Sequence, residues 1–205
     1  IQTIIQMHHL QEMVAQGGYI PRSQILTPKE YKQLYNTKLL THIKRKSDLY
    51  NMGKLSVEDV TIKGAVSFLS TLKDQGTTLY LASGTDVEDV IKEATLLGYA
   101  DLFEGRIRGS VGDVKNDPKR LVLQSIIEEV ENTIEPQDIA VFGDGPVEMR
   151  EAKRHNCLAI GVQSNETQRY GKDEHKRERL ILAGADILIP DFSWTTELAE
   201  VCLWQ

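Results

Sequence analysis

Asp144 and Glu148 stand four residues apart in IAVFGDGPVEMREAKRHNCLAIGV, the stretch from Ile139 to Val162. A carboxylate in a glycine turn at the end of a buried strand suits a hard cation such as Mg²⁺, which takes one or two carboxylates and keeps several waters. Glu148 follows one helical turn later and reaches the same ion or its water shell. A second apolar stretch, LYLA, runs into Ser83-Gly84 just ahead of a helical pattern. A hydroxyl there, beside the free N–H groups of a helix start, suits a phosphate oxygen. Between the two lies GDVKNDPKRL. A lysine at that helix start can sit between a phosphoryl group and the carboxylates and neutralise both. Each residue has a plainer use. Asp-Gly is an ordinary turn, a serine before glycine an ordinary cap, and Asp86 is most simply a helix N-cap. Their joint occurrence at strand ends, in this order, points to phosphate and metal chemistry.

The elements that must position these residues can be read from periodicity. TTLYLASG reads as a strand, DVEDVIKEATLLG as a helix, FEGRIRGS as a short extended piece and PKRLVLQSIIEEVEN as a helix. Strand 139–142, helix 146–155, strand 158–162, helix 174–183, strand 186–189 and helix 194–203 follow. Strands separated by helices of this length imply crossover units and a parallel sheet. Ligands of such sheets bind outside the carboxyl ends of the strands. That rim receives Ser83-Gly84, Gly143-Asp144-Gly145, Gln163-Ser164-Asn165 and Pro190-Asp191. The polar run SNETQRYGKDEHKRER reads as a loop leading onto a solvated helix face. Residues 1–60 differ, reading as a small helical bundle. Gly17-Gly18 stops a first helix, and Thr27 caps a second with Pro28 at its first position. His8 and His9 are adjacent and point to different faces of their helix, which argues against a metal pair. HIKRKSD, from His42 to Asp48, could meet an anionic substrate, but a solvated helix face is the simpler reading.

Bulk properties exclude other classes. The 205 residues are 40% hydrophobic and 26% charged, with net charge −6. That balance argues against a nucleic-acid surface or a polybasic membrane anchor and favours a cytoplasmic enzyme. Two cysteines, Cys157 and Cys202, make no disulfide framework and read as reduced, buried thiols. No apolar run approaches the roughly 18 residues that span a bilayer.

In these residues the chain resembles the haloacid dehalogenase superfamily of phosphatases and phosphotransferases. LYLASG with Ser83 matches the second motif. Lys119 in NDPKRLVL matches the third, with Lys115 as the alternative. VFGDGPVE with Asp144 and Glu148 matches the fourth, and AGADILIPDF resembles the last strand. The helical segment resembles the mobile cap of the phosphoglycolate phosphatase and β-phosphoglucomutase branch. The resemblance implies an α/β fold, a Rossmann-like parallel-sheet core over 61–205 with helices on both faces, and a helical cap domain over 1–60. It implies a Mg²⁺-dependent phosphatase acting on a small phosphorylated metabolite through an aspartyl-phosphate. Ser83, Gly84 and Lys119 would hold phosphate, with Ser83 and Lys119 serving catalysis, while Asp144 and Glu148 hold the metal. A phosphosugar mutase and a non-catalytic phosphate-binding module are the alternatives. The first motif of the superfamily, a strand ending in Asp-x-Asp, has no counterpart in the sequence. The resemblance sets that strand between the second- and fourth-motif strands. The chain begins at Ile1 without methionine, so the expectation is that the strand lies upstream and that the chain alone lacks the nucleophile.

Overall fold

The computed structural model describes residues 3–110, 117–168 and 171–203, except the side chains of 3, 4, 40, 42, 43 and 203. The chain divides into two compact units, Ile1–Ser56 and Val57–Gln205.

The first unit packs helix α1 (Thr3–Gly17) against helix α2 (Pro28–Asn51). Gly18, at φ +66°, takes the left-handed conformation that ends α1. A reciprocal capping box starts α2. The Thr27 hydroxyl accepts the Glu30 N–H at 3.3 Å, and the Glu30 carboxylate accepts the Thr27 N–H at 2.7 Å. The Thr27 hydroxyl, donating to the Glu30 carboxylate at 2.7 Å, and then the Thr27 N–H hold the Glu30 carboxyl below the usual carboxylate range. Gln11 of α1 donates to the Leu26 carbonyl at 3.0 Å and ties the connection to the first helix.

The second unit alternates helices and strands: α3 (Val57–Val60), α4 (Ala65–Asp74), β1 (Leu81–Asp86), α5 (Val87–Leu96), β2 (Ile107–Ser110), α6 (Pro118–Val130), β3 (Ala140–Gly143), α7 (Pro146–Arg154), β4 (Leu158–Val162), α8 (Glu174–Leu182), β5 (Ile187–Ile189) and α9 (Thr195–Leu203). Among the described residues all strand pairing is parallel apart from an isolated antiparallel bridge between Ser164 and Lys172. Successive strand residues face opposite ways, and here they enter two different cores. Leu81, Phe142 and Val162 pack with Phe68, Leu72, Val90, Ala94, Phe192 and Leu198, which belong to α4, α5, α9 and the segment before α9. Ala82, Val141 and Ala159 pack with Leu123, Ile127, Met149, Ala152 and Leu180 of α6, α7 and α8. Helices therefore cover both faces, as the α/β reading expects.

The sheet comes in two pieces. β1 pairs with β2, and β3, β4 and β5 form a separate set with β4 in the middle. Among the described residues no ladder joins β1 to β3. The resemblance set a further strand between these same two.

Candidate functional site

The candidate site is built from the middle of β1 and the carboxyl end of β3. Gly143 closes β3 and leads into Asp144-Gly145, and Pro146 opens α7 at a position where its missing N–H costs nothing. Glu148 then folds back over the turn. A Cβ on Gly143 would lie 2.5 Å from both Cβ and Cγ of Glu148, so only glycine leaves room for that side chain. The Glu148 side chain is 4% exposed. A buried carboxylate needs a partner, and Lys119 in the first turn of α6 supplies it by donating to Glu148 Oε1.

Lys119 also meets the other strand. A Cβ on Gly84 would come within 3.1 Å of Lys119 Cβ, so the backbone at Gly84 packs closely against the start of the lysine side chain. Contact thus runs from Gly84 through Lys119 to Glu148 and the Asp144 turn. The structure brings four expected residues, Ser83, Gly84, Lys119 and Glu148, and the adjoining Asp144 into one neighbourhood. Lys115 lies outside the described residues.

Two expectations change, one holds and one holds only in part. Ser83 is expected beyond the end of its strand, but β1 continues through Asp86, with its register to β2 shifting between Ala82 and Asp86. The Ser83 hydroxyl accepts the Thr85 N–H at 3.1 Å and stabilises this irregular stretch. Asp86 caps α5 by accepting the Glu88 N–H at 3.1 Å. The charged run after β4 is not simply a solvated face. Lys176 in the first turn of α8 is only 15% exposed and reaches Asp144 Oδ2 at 3.5 Å and Glu166 Oε1 at 2.7 Å. Of the cysteines, Cys157 is buried but Cys202 only partly so.

Sequence reasoning missed Lys176 and Glu166. Lys176 lies ten residues from Glu166 but more than thirty from Asp144, and no local spacing signals that it bridges the two. Gln163 and Ser164, at the end of β4, are buried, and Gln163 Oε1 and Ser164 Oγ have no hydrogen-bond partner among the described residues. Asp191 accepts the Ser193 N–H at 2.8 Å and shapes its own turn.

The site thus holds two ammonium groups, Lys119 and Lys176, and three carboxylates, Asp144, Glu148 and Glu166. No group of three or more His, Cys, Asp or Glu side chains arranged for a metal occurs among the described residues. The two carboxylates nonetheless suit Mg²⁺, which takes one or two from protein and completes its shell with water and phosphate oxygens. Asp144 is half exposed, and Glu148 Oε2 points towards the glycine turn, 3.0 Å from where a Gly145 Cβ would lie.

The family of haloacid dehalogenase-like hydrolases matches residues 8–156. The chain belongs to that family. A comparison with curated proteins gave no match. Among solved structures, a predicted phosphatase from Clostridium acetobutylicum is 26% identical with a TM-score of 0.54, over 69% of this chain and 59% of that one. The match thus spans less than two thirds of that relative. A haloacid dehalogenase-like protein of unknown function from Agrobacterium tumefaciens is 18% identical, with a TM-score of 0.54, over 97% of this chain and 90% of the other. The β-phosphoglucomutase of Clostridium difficile is 15% identical, with a TM-score of 0.56, over all of this chain and 80% of that one. The last two likenesses are of fold. No helix among the described residues is long and apolar enough to cross a membrane.

Proposed function

We propose that this hydrolase chain supplies the phosphate- and metal-holding part of a Mg²⁺-dependent phosphatase for a small phosphorylated metabolite. The observation that carries the reading is the convergence of Gly84, Lys119 and Glu148 at the Asp144 turn, across two strands that do not pair with each other among the described residues. Ser83 and the backbone of Gly84 offer donors to phosphoryl oxygens, and the Lys119 ammonium adds a full positive charge beside them. Asp144, with Glu148 behind it, would hold Mg²⁺. When bound, the ion would neutralise phosphoryl oxygens as a Lewis acid. The Lys119–Glu148 pair holds the ammonium at the site before substrate arrives, so less ordering is needed on binding.

The likeness to a predicted phosphatase supports this reading, while that to β-phosphoglucomutase, being one of fold, does not favour a mutase. The test is hydrolysis of phosphate monoesters by the full-length protein with and without Mg²⁺. Asp144→Ala should abolish Mg²⁺-dependent turnover, and Lys119→Met should lower phosphate-ester affinity and turnover together. Turnover unchanged in Asp144→Ala overturns the reading.

A further inference from the structure

Lys176 is the residue at the site that the proposed phosphatase reading leaves without a task. Its ammonium lies between two carboxylates, 2.7 Å from Glu166 and 3.5 Å from Asp144. Its backbone is fixed. The Lys176 N–H donates to the Asp173 carboxylate at 2.9 Å, and the Asp173 N–H donates to the Gln163 carbonyl at 2.8 Å, which ties the start of α8 to the end of β4. The Lys176 N–H also holds the Asp173 carboxyl below the usual carboxylate range. Glu166, in contrast, is largely exposed and belongs to the loop after β4.

A monovalent ammonium and a divalent ion cannot share Asp144 without repelling each other. Glu166 gives the ammonium a second seat, and the shorter distance shows that it already leans that way. We propose that Lys176 is a built-in counter-cation of Asp144, that it competes with the divalent ion for this carboxylate, and that Glu166 is the seat to which it withdraws. Lys176 is then a positioning residue that sets the metal affinity of the site. The inference rests on the reading of Asp144 as a metal ligand.

The experiment is direct binding of Mn²⁺ to the full-length protein, followed by electron paramagnetic resonance and, for Mg²⁺, by calorimetry. Lys176→Gln removes the competitor and should tighten Mn²⁺ binding by about fivefold, the scale of one partly exposed ion pair. Glu166→Gln removes the second seat, returns the ammonium to Asp144 and should weaken binding by a similar factor. The two opposite shifts are the signature, because a merely structural role would move both variants the same way. Folding of each variant is checked by circular dichroism before its affinity is read. Unchanged affinity in the variants, or looser binding in Lys176→Gln, overturns the counter-cation role while leaving Asp144 as ligand. Asp144→Asn that binds Mn²⁺ as the wild type does, or a wild type that binds none, overturns the metal site and the inference with it.

Discussion

The two ends of the Lys119–Glu148 pair are not equivalent. The Glu148 side chain is almost wholly buried, whereas that of Lys119 is 36% exposed. Removing the lysine strands a carboxylate in the interior, the expensive half of a broken buried pair. Removing the carboxylate leaves an ammonium that can turn to water. Lys119→Met should therefore destabilise the protein more than Glu148→Gln, by upwards of about 1 kcal/mol in urea denaturation. Equal losses would show that the pair is solvated at both ends. Gly143→Ala should lower the melting temperature and displace Glu148, because the added methyl group meets that side chain at 2.5 Å. The thiols carry a pH signature. Burial pushes Cys157 from 9.0 to about 11, helped by the nearby Glu131 charge, and burial alone does the same for Cys202. Below pH 9 both are protonated in folded and unfolded chains, so they leave stability unchanged. Between pH 9 and about 11 only the unfolded chain ionises, so stability falls as pH rises. Denaturation midpoints across that interval, compared with Cys157→Ala, check the sign.

At the scale of elements, the capping box of α2 is the clearest separable contribution. Thr27→Ala should cost about 1 kcal/mol, and Thr27→Ser should restore most of it, as measured by denaturation followed through helix signal. Such local devices are also what the sequence made legible. Thr27-Pro28, Asp86 before α5, and Pro146 after Gly145 each mark a helix start within a few residues, and β4 begins and ends where its apolar run does. Asp144 and Glu148 were visible for the same reason, since a spacing of four is a property of one helix turn. β1 was harder. The run from Thr77 reads as strand, but a ladder needs a partner. Pairing starts only at Leu81, opposite Ile107, and it continues past Ser83 into an irregular register that no alternation predicts. Lys176 was invisible because its meaning lies in reaching the distant Asp144 turn as well as the nearby Glu166.

At the scale of the whole molecule, the chain divides after Ser56, just beyond the exposed turn that follows α2. Met52 is 67% exposed there, and Gly53 takes a left-handed conformation at φ +68° that frees the chain from the helix. Limited trypsin digestion should cut first at Lys54, yielding a fragment that begins at Leu55. First cleavage inside the helices of either unit would argue against two separately compact bodies. The division of the sheet has a consequence of another kind. β4 is flanked by partners on both sides, and four of its five residues are buried, whereas β1 and β3 each pair on one side only among the described residues and are mostly half-buried. In the 205-residue chain by itself, deuterium should therefore enter the backbone unevenly, slowest along Ala159–Val162 and sooner along Leu81–Gly84 and Ala140–Gly143. The strands that present Ser83 and Asp144 would then breathe more readily at their amides than the central strand β4.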